Sequence, residues 1–132
     1  MILVDTSAWV EFDRATGTSV DARLTELIAT TDDVAVSEPV IMELLAGARD
    51  DRRARDLRRL MDRFPLMRFD AAVDFDAATR IYRTCRRSGV TPRGMVDCMI
   101  AAVALRHGAS MLAADSDLDR VAEVMGIEME TG

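Results

Sequence analysis

The chain has 132 residues, enough for one domain with a single substantial core, and an apolar fraction of 49% argues for an ordered globule. All 17 basic residues are arginine, which excludes a Walker-type phosphate loop, a Schiff-base enzyme and a receiver-type phosphoacceptor site. The net charge of −6 argues against a uniformly basic nucleic-acid binder, yet residues 49–93 hold 13 arginines against 7 acids while the rest holds 4 against 16.

In chain order, "MILV" reads as a short buried strand. "DTSAWVEF" follows, with Thr6 or Ser7 placed to cap a helix that carries Trp9 and Val10. "SVDARLTELIAT" has helical spacing, and "DVAVS" is a second strand. Ser37, Glu38 and Pro39 start a helix that slackens near Gly47. An Arg-rich amphipathic helix spans roughly 51–63 and is closed by Pro65. "LMRFD" reads as a short strand, and "AAVDFDAATRIYRTCRRSG" as a long helix ending at Gly89. Pro92 and Gly94 precede a helix that stops at "RHG", residues 106–108. "SMLAAD" is a strand, "DLDRVAEVMG" a helix starting at Leu118, and "IEME" a final strand.

The N-terminus has no basic region before its apolar residues, and no stretch approaches the ~20 apolar residues that span a bilayer. Cys85 and Cys98 lack zinc-like spacing and read as reduced core thiols, so the expected compartment is the cytoplasm. Strands alternating with helices indicate an α/β fold with a mostly parallel sheet, in which ligands bind beyond the carboxyl ends of the strands.

Three carboxylates stand in otherwise apolar runs: Asp5 after "MILV", Glu43 in "VIMELLA" and Asp97 in "MVDCMIAAVAL". Burying an unpaired carboxylate costs several kcal/mol, so each needs a cap, a partner, a metal or a proton. Taken singly, Asp5 reads as a helix cap, Asp97 as a first-turn acid and Glu43 as the partner of an arginine. Asp115 and Asp117 in "ADSDLD" read as turn and cap residues. Taken together, Asp5, Glu43, Asp97 and Asp115 fall where one crevice gathers them, and a bound divalent cation explains all four. Ligands that are all oxygen favour Mg²⁺, with Mn²⁺ as substitute. His107, beside Gly108 at a helix end, reads as a terminus residue rather than a general base.

The segments "MILVDTSAWVEF", "EPVIMELLAG" and "RGMVDCMIAAVALRHGASMLAADSDLDRVAEVMGI" resemble the PIN-domain ribonuclease toxins of the VapBC type, in order and at the family's spacing over nearly the whole chain. The resemblance implies a single PIN domain over residues 1–132, a three-layer fold with a short, mostly parallel sheet between helices. It implies that Asp5, Glu43, Asp97 and Asp115 are the catalytic acids. Asp5 and Asp97 become the primary metal ligands, with Asp115 and the auxiliary Asp117 beside them, and Thr6 or Ser7 supports the site. It further implies Mg²⁺-dependent hydrolysis of RNA to 5′-phosphate and 3′-hydroxyl ends, with Arg93 and the basic middle as RNA-binding candidates. A VapB-type antitoxin partner, a homodimer and a heterotetramer or larger complex complete the expectation. Two departures weaken the fourth corner: Ala114 stands where the family commonly has Thr or Ser, and Leu118 where it commonly has an aromatic. Three other readings stay open on sequence: a small-ester phosphohydrolase, a PIN nuclease of RNA processing, and a non-catalytic acidic module that receives a partner's arginine.

Overall fold

The computed structural model describes residues 1–131. Three short parallel strands form the sheet: β1 (Ile2–Val4), β2 (Val34–Ala35) and β3 (Ser110–Leu112), in the order β2-β1-β3. Ile2 is opposite Val34 on one side and Ser110 on the other, which places the carboxyl ends of all three strands together. Every residue of β1 and β2 is buried, as the apolar run "MILV" predicts for strands covered on both faces.

The strand order reverses at β1. The chain passes from β1 to β2 on one side, then returns across to β3 on the other. In parallel sheets such a switch opens a crevice at the carboxyl edge. Two expected strands are reduced to single bridges. Leu66 pairs with Val36, and Met129 with Met111, both in parallel. Beyond Met67 the ladder stops because the Phe69 N–H is donated to Glu38 Oε1 (2.8 Å) instead of to a neighbouring strand.

Seven helices surround the sheet: α1 (Thr6–Asp13), α2 (Ser19–Thr30), α3 (Glu38–Ala46), α4 (Asp51–Met61), α5 (Asp74–Arg87), α6 (Met95–His107) and α7 (Ser116–Met125). One group packs α1 against α2 and α3, and α3 against α4; the other packs α5 and α7 against α6. The α6 run "CMIAAVA" buries Cys98, Ile100, Ala101, Ala102, Val103 and Ala104. That is why its sequence is apolar around the whole circumference rather than along one stripe. Small alanines let neighbouring backbones approach there. By contrast α4 buries only Leu57 and Met61 and turns its arginines outward.

Helix starts depart from the sequence reading in two places, and at α1 the structure chooses between its two readings. Asp5 rather than Thr6 or Ser7 caps α1, its side chain accepting from the Ser7 N–H. Helix α7 starts at Ser116 with Asp115 as its cap, two residues before Leu118. Helix α5 starts only at Asp74, because residues 70–73 form a turn in which Asp70 accepts from the Ala72 N–H and donates its own N–H to Asp74. Helices α6 and α7 both end at left-handed glycines, Gly108 (φ 62°) and Gly126 (φ 71°). Among the described residues no helix is long and apolar enough to cross a membrane. Both cysteines are free and buried, and burial pushes their thiols above the usual range, Cys98 to about 11.

Candidate metal centre and acidic crevice

Asp5 follows β1 directly, and its N–H donates to Leu112 O at the end of β3 (2.9 Å). The last ladder rung therefore brings the segment after β1 beside the segment after β3. Ser7 fastens the two. Its hydroxyl donates to Asp5 Oδ2 (2.6 Å) and accepts from the Ala114 N–H (2.9 Å). The side chain that Ala114 lacks is therefore not the contact that matters; its backbone supplies the donor. Leu118 is fully buried, so the second departure from the family pattern is a core position.

Thr6 supports a different corner. Its Oγ1 donates to Glu43 Oε1 (2.8 Å), which orients a carboxylate projecting from the middle of α3. Helix α6 brings Asp97 in from its first turn, where the N-terminal dipole favours an acid. Asp115 caps α7 by accepting from the Asp117 N–H through Oδ1 (2.9 Å). Asp5, Glu43 and Asp115 thus each have a cap or hydrogen bond with one oxygen left over, whereas Asp97 accepts no hydrogen bond and meets only Arg93, at 3.7 Å. Asp5 Oδ1, Asp97 Oδ2 and Asp115 Oδ2 are buried without a hydrogen-bond partner.

Arg93 stands at the mouth. Its Nη2 lies 3.1 Å from Asp115 Oδ2 and 3.7 Å from Asp97 Oδ1. Asp97, Asp115, Asp5 and Glu43 together hold its guanidinium more firmly charged than usual. Burial, reinforced by the Asp5, Asp115 and Glu43 carboxylates, pushes Asp97 up to about 6 against the pull of Arg93. Burial also raises Asp5, opposed by its Ser7 hydrogen bonds. An aspartate that resists ionising beside three other acids is the signature of a site short of positive charge.

Sequence reasoning had no view of this arginine as a direct neighbour of two acids. The i,i+4 spacing of Arg93 and Asp97 was the available signal. Asp117 does not join the group: its side chain turns out toward Arg120 (3.3 Å) and stays 38% exposed. His107 caps its own helix, with Nδ1 2.9 Å from Val103 O, and sits about 15 Å along α6 from Asp97 at 1.5 Å per residue.

Among the described residues no three His, Cys, Asp or Glu side chains already meet as a metal-holding group. The fit of a divalent cation rests instead on Asp5 Oδ1 and Asp97 Oδ2, buried with no partner, and on Asp115 Oδ2, whose one neighbour is Arg93; all three are hard donors from separate segments. Those residues suit a hard divalent cation and bring none of the His or Cys donors that zinc and copper sites favour.

The family model for the PIN domain matches residues 2–124. The chain is 44% identical over 129 residues to Ribonuclease VapC11 of Mycobacterium tuberculosis, covering 97% of this chain and 96% of that one. This chain belongs to the PIN-domain VapC family. Solved structures carry the same fold at lower identity. The DNA-bound VapBC of Salmonella typhimurium superposes with a TM-score of 0.75 at 21% identity, covering 98% of this chain and 96% of that one. VapC20 of M. tuberculosis, described as a sarcin–ricin loop cleaving toxin, gives 0.71 at 22%, with both chains fully covered. In this VapC-family chain the α/β architecture with a parallel sheet is as expected, and the four acids surround the crevice at its carboxyl edge.

Proposed function

We propose that this chain is a Mg²⁺- or Mn²⁺-dependent endoribonuclease acting in the cytoplasm as the toxin of a toxin–antitoxin pair. The observation that carries it is a set of buried carboxylate oxygens: Asp5 Oδ1 after β1 and Asp97 Oδ2 on α6 have no partner, and Asp115 Oδ2 at the cap of α7 meets only Arg93. The 44% identity to a protein named as a ribonuclease supports the reaction class.

Asp5, Asp97 and Asp115 would hold the cation, with Asp117 outside the set as placed. A bound divalent cation supplies neutralising charge for the phosphate and lowers the pKa of a water. The protein's own contribution is positioning. Ser7 locks Asp5 through a short hydrogen bond, so the carboxylate cannot rotate away. Thr6 fixes one oxygen of Glu43, leaving the other to accept the proton of an attacking water. Arg93, more than half exposed at the mouth, contacts the scissile phosphate. The water oxygen bonds to phosphorus, the bond from phosphorus to the 3′ oxygen breaks, and that oxygen takes a proton from solvent. The products are a 5′-phosphate and a 3′-hydroxyl. No histidine or lysine is needed.

Carboxylates that hold a cation also accept a guanidinium, as Arg93 does within the chain. A VapB-type antitoxin would use that property to place an arginine at the crevice, within a homodimer-based heterotetramer or larger complex. The VapBC assemblies among the structural neighbours support such a partner. Titrating Mn²⁺ calorimetrically into chelator-treated protein tests the metal site: wild type binds, and Asp97→Asn loses binding by about tenfold or more. Equal binding by both would remove Asp97 from the metal set. Induction in growing bacteria tests the toxin role: wild type arrests growth, Asp97→Asn does not, and growth through wild-type induction at equal protein level would contradict it.

A further inference from the structure

A cleft of about 410 Å³ opens between α1, α3 and the start of α4. Thr6 and Glu43 line it, so it shares a wall with the acidic crevice. Val10, Leu44 and Leu57 give it apolar surface, and Arg14, Arg49 and Arg53 are its cations. Their states differ. Arg53 is held by an ion pair to Asp13. Arg49 has a side chain 85% exposed and only a loose 3.8 Å approach to Asp50, and Arg14 is exposed at the end of α1.

We infer that this cleft is a nucleotide subsite: it takes one unstacked nucleotide of the RNA, next to the scissile phosphate, with its base against Val10, Leu44 and Leu57 and its phosphates met by Arg14 and Arg49. The inference rests on the ribonuclease reading of the adjoining crevice. Three observations favour RNA as the occupant. The volume lies within the ~300–1,000 Å³ of small-molecule sites and suits a single nucleotide rather than a duplex. Sequence-specific RNA recognition splays single-stranded bases into pockets while cations hold the backbone. Placement is the third. A polyanion approaching four carboxylates needs positive charge beside them, and Arg14 and Arg49 supply it in the cleft that Thr6 and Glu43 line.

The test uses the full chain and the variant R14A/R49A, both substitutions lying at exposed positions. Cleavage of total cellular RNA is followed at several salt concentrations, and unlabelled AMP, GMP, CMP and UMP are titrated in turn into each isotope-labelled protein while its amide spectrum is followed. The expected result is a KM raised about tenfold in the variant with kcat within about twofold, and a salt slope reduced by about 1.4 for two single-strand contacts. Nucleotide-induced shifts cluster at Val10, Leu44 and Leu57 in wild type and are lost in the variant. R14K/R49K restores most of the KM. If wild type cuts RNA and R14A/R49A cuts it equally well with the same salt slope, the subsite is overturned while the ribonuclease reading stands. If the variant cuts normally but no longer co-purifies with its antitoxin, the cleft belongs to a protein partner and the subsite is likewise overturned. If wild type cuts no RNA, the ribonuclease reading fails, and the nucleotide titration decides the cleft by itself: localised shifts uphold it as a nucleotide site, and their absence overturns it.

Discussion

Asp97 carries opposite demands, and they predict a substitution that costs activity and gains stability. Its folded-state pKa of about 6 lies above the ordinary 3.8, so the folded protein holds that proton more tightly than the unfolded chain. The sign follows from linkage. With the metal chelated, Asp97 costs nothing below pH 3.8, and the cost grows as pH rises through 6. Asp97→Asn removes the charge and therefore stabilises the chelated protein at pH 7.5 by on the order of 2 kcal/mol; chemical denaturation at pH 5 and pH 7.5 measures it. Wild type loses stability across that interval and the variant loses less. Asp74 runs the other way. Its buried carboxylate is held by Arg106 through Nε (2.9 Å) and Nη2 (2.8 Å), which pulls its pKa below 3.8 despite burial. That pair contributes in full above pH 3.8 and fades as pH falls through the lowered value. Arg106→Ala leaves the charge unpaired and costs about 2 kcal/mol at neutral pH, a figure reduced because the arginine is 35% exposed. A denaturation midpoint unchanged by Arg106→Ala would contradict the assignment.

At the scale of elements, Ser7 is the fastening between α1 and the turn that leads into α7. Ser7→Ala loses the hydrogen bonds of its hydroxyl to Asp5 and from Ala114. The expected cost is about 1–2 kcal/mol of stability, with kcat falling more than KM rises, because the substrate is still bound but Asp5 is no longer locked. Gly108 closes α6 at φ 62°, and an added Cβ there would meet no neighbour within 4 Å. Gly108→Ala therefore costs only backbone strain, about 1 kcal/mol by thermal or chemical unfolding, and leaves cleavage intact. Most of these elements were legible from periodicity and caps. Asp5, Glu43 and Asp97 stood out because a carboxylate in an apolar run has few inexpensive explanations. The edges were not legible. "LMRFD" and "IEME" have strand composition, but each pairs through a single residue, and what stops the first is a side-chain acceptor, Glu38, that lies 31 residues away in sequence. The outward turn of Asp117 was hidden for a similar reason, since "DSD" offers two acids at cap spacing and only the start of α7 decides between them. Arg14 gave no signal, and Arg49 stood only as one arginine of the basic middle; they line one cleft because α1 and α4 both pack against α3.

At the scale of the whole molecule, the uneven charge becomes intelligible. For the proposed RNA substrate, an acidic chain that concentrates its arginines in residues 49–93 and most of its carboxylates elsewhere can attract a polyanion despite its net charge. The sheet order β2-β1-β3 puts the switch at β1, and that single topological fact gathers acids from positions 5, 43, 97 and 115. In the proposed ribonuclease Asp5, Asp97 and Asp115 hold the metal on which cleavage depends. The measurement that tests it most directly is cleavage of total cellular RNA by antitoxin-free protein, with Mg²⁺ or Mn²⁺, with EDTA, and as Asp97→Asn, with the new 5′ ends mapped. Discrete cuts bearing 5′-phosphates are expected, requiring the metal and vanishing with EDTA and with Asp97→Asn. Cleavage that survives both would contradict this reading, as would a folded wild-type protein that binds metal and leaves RNA whole.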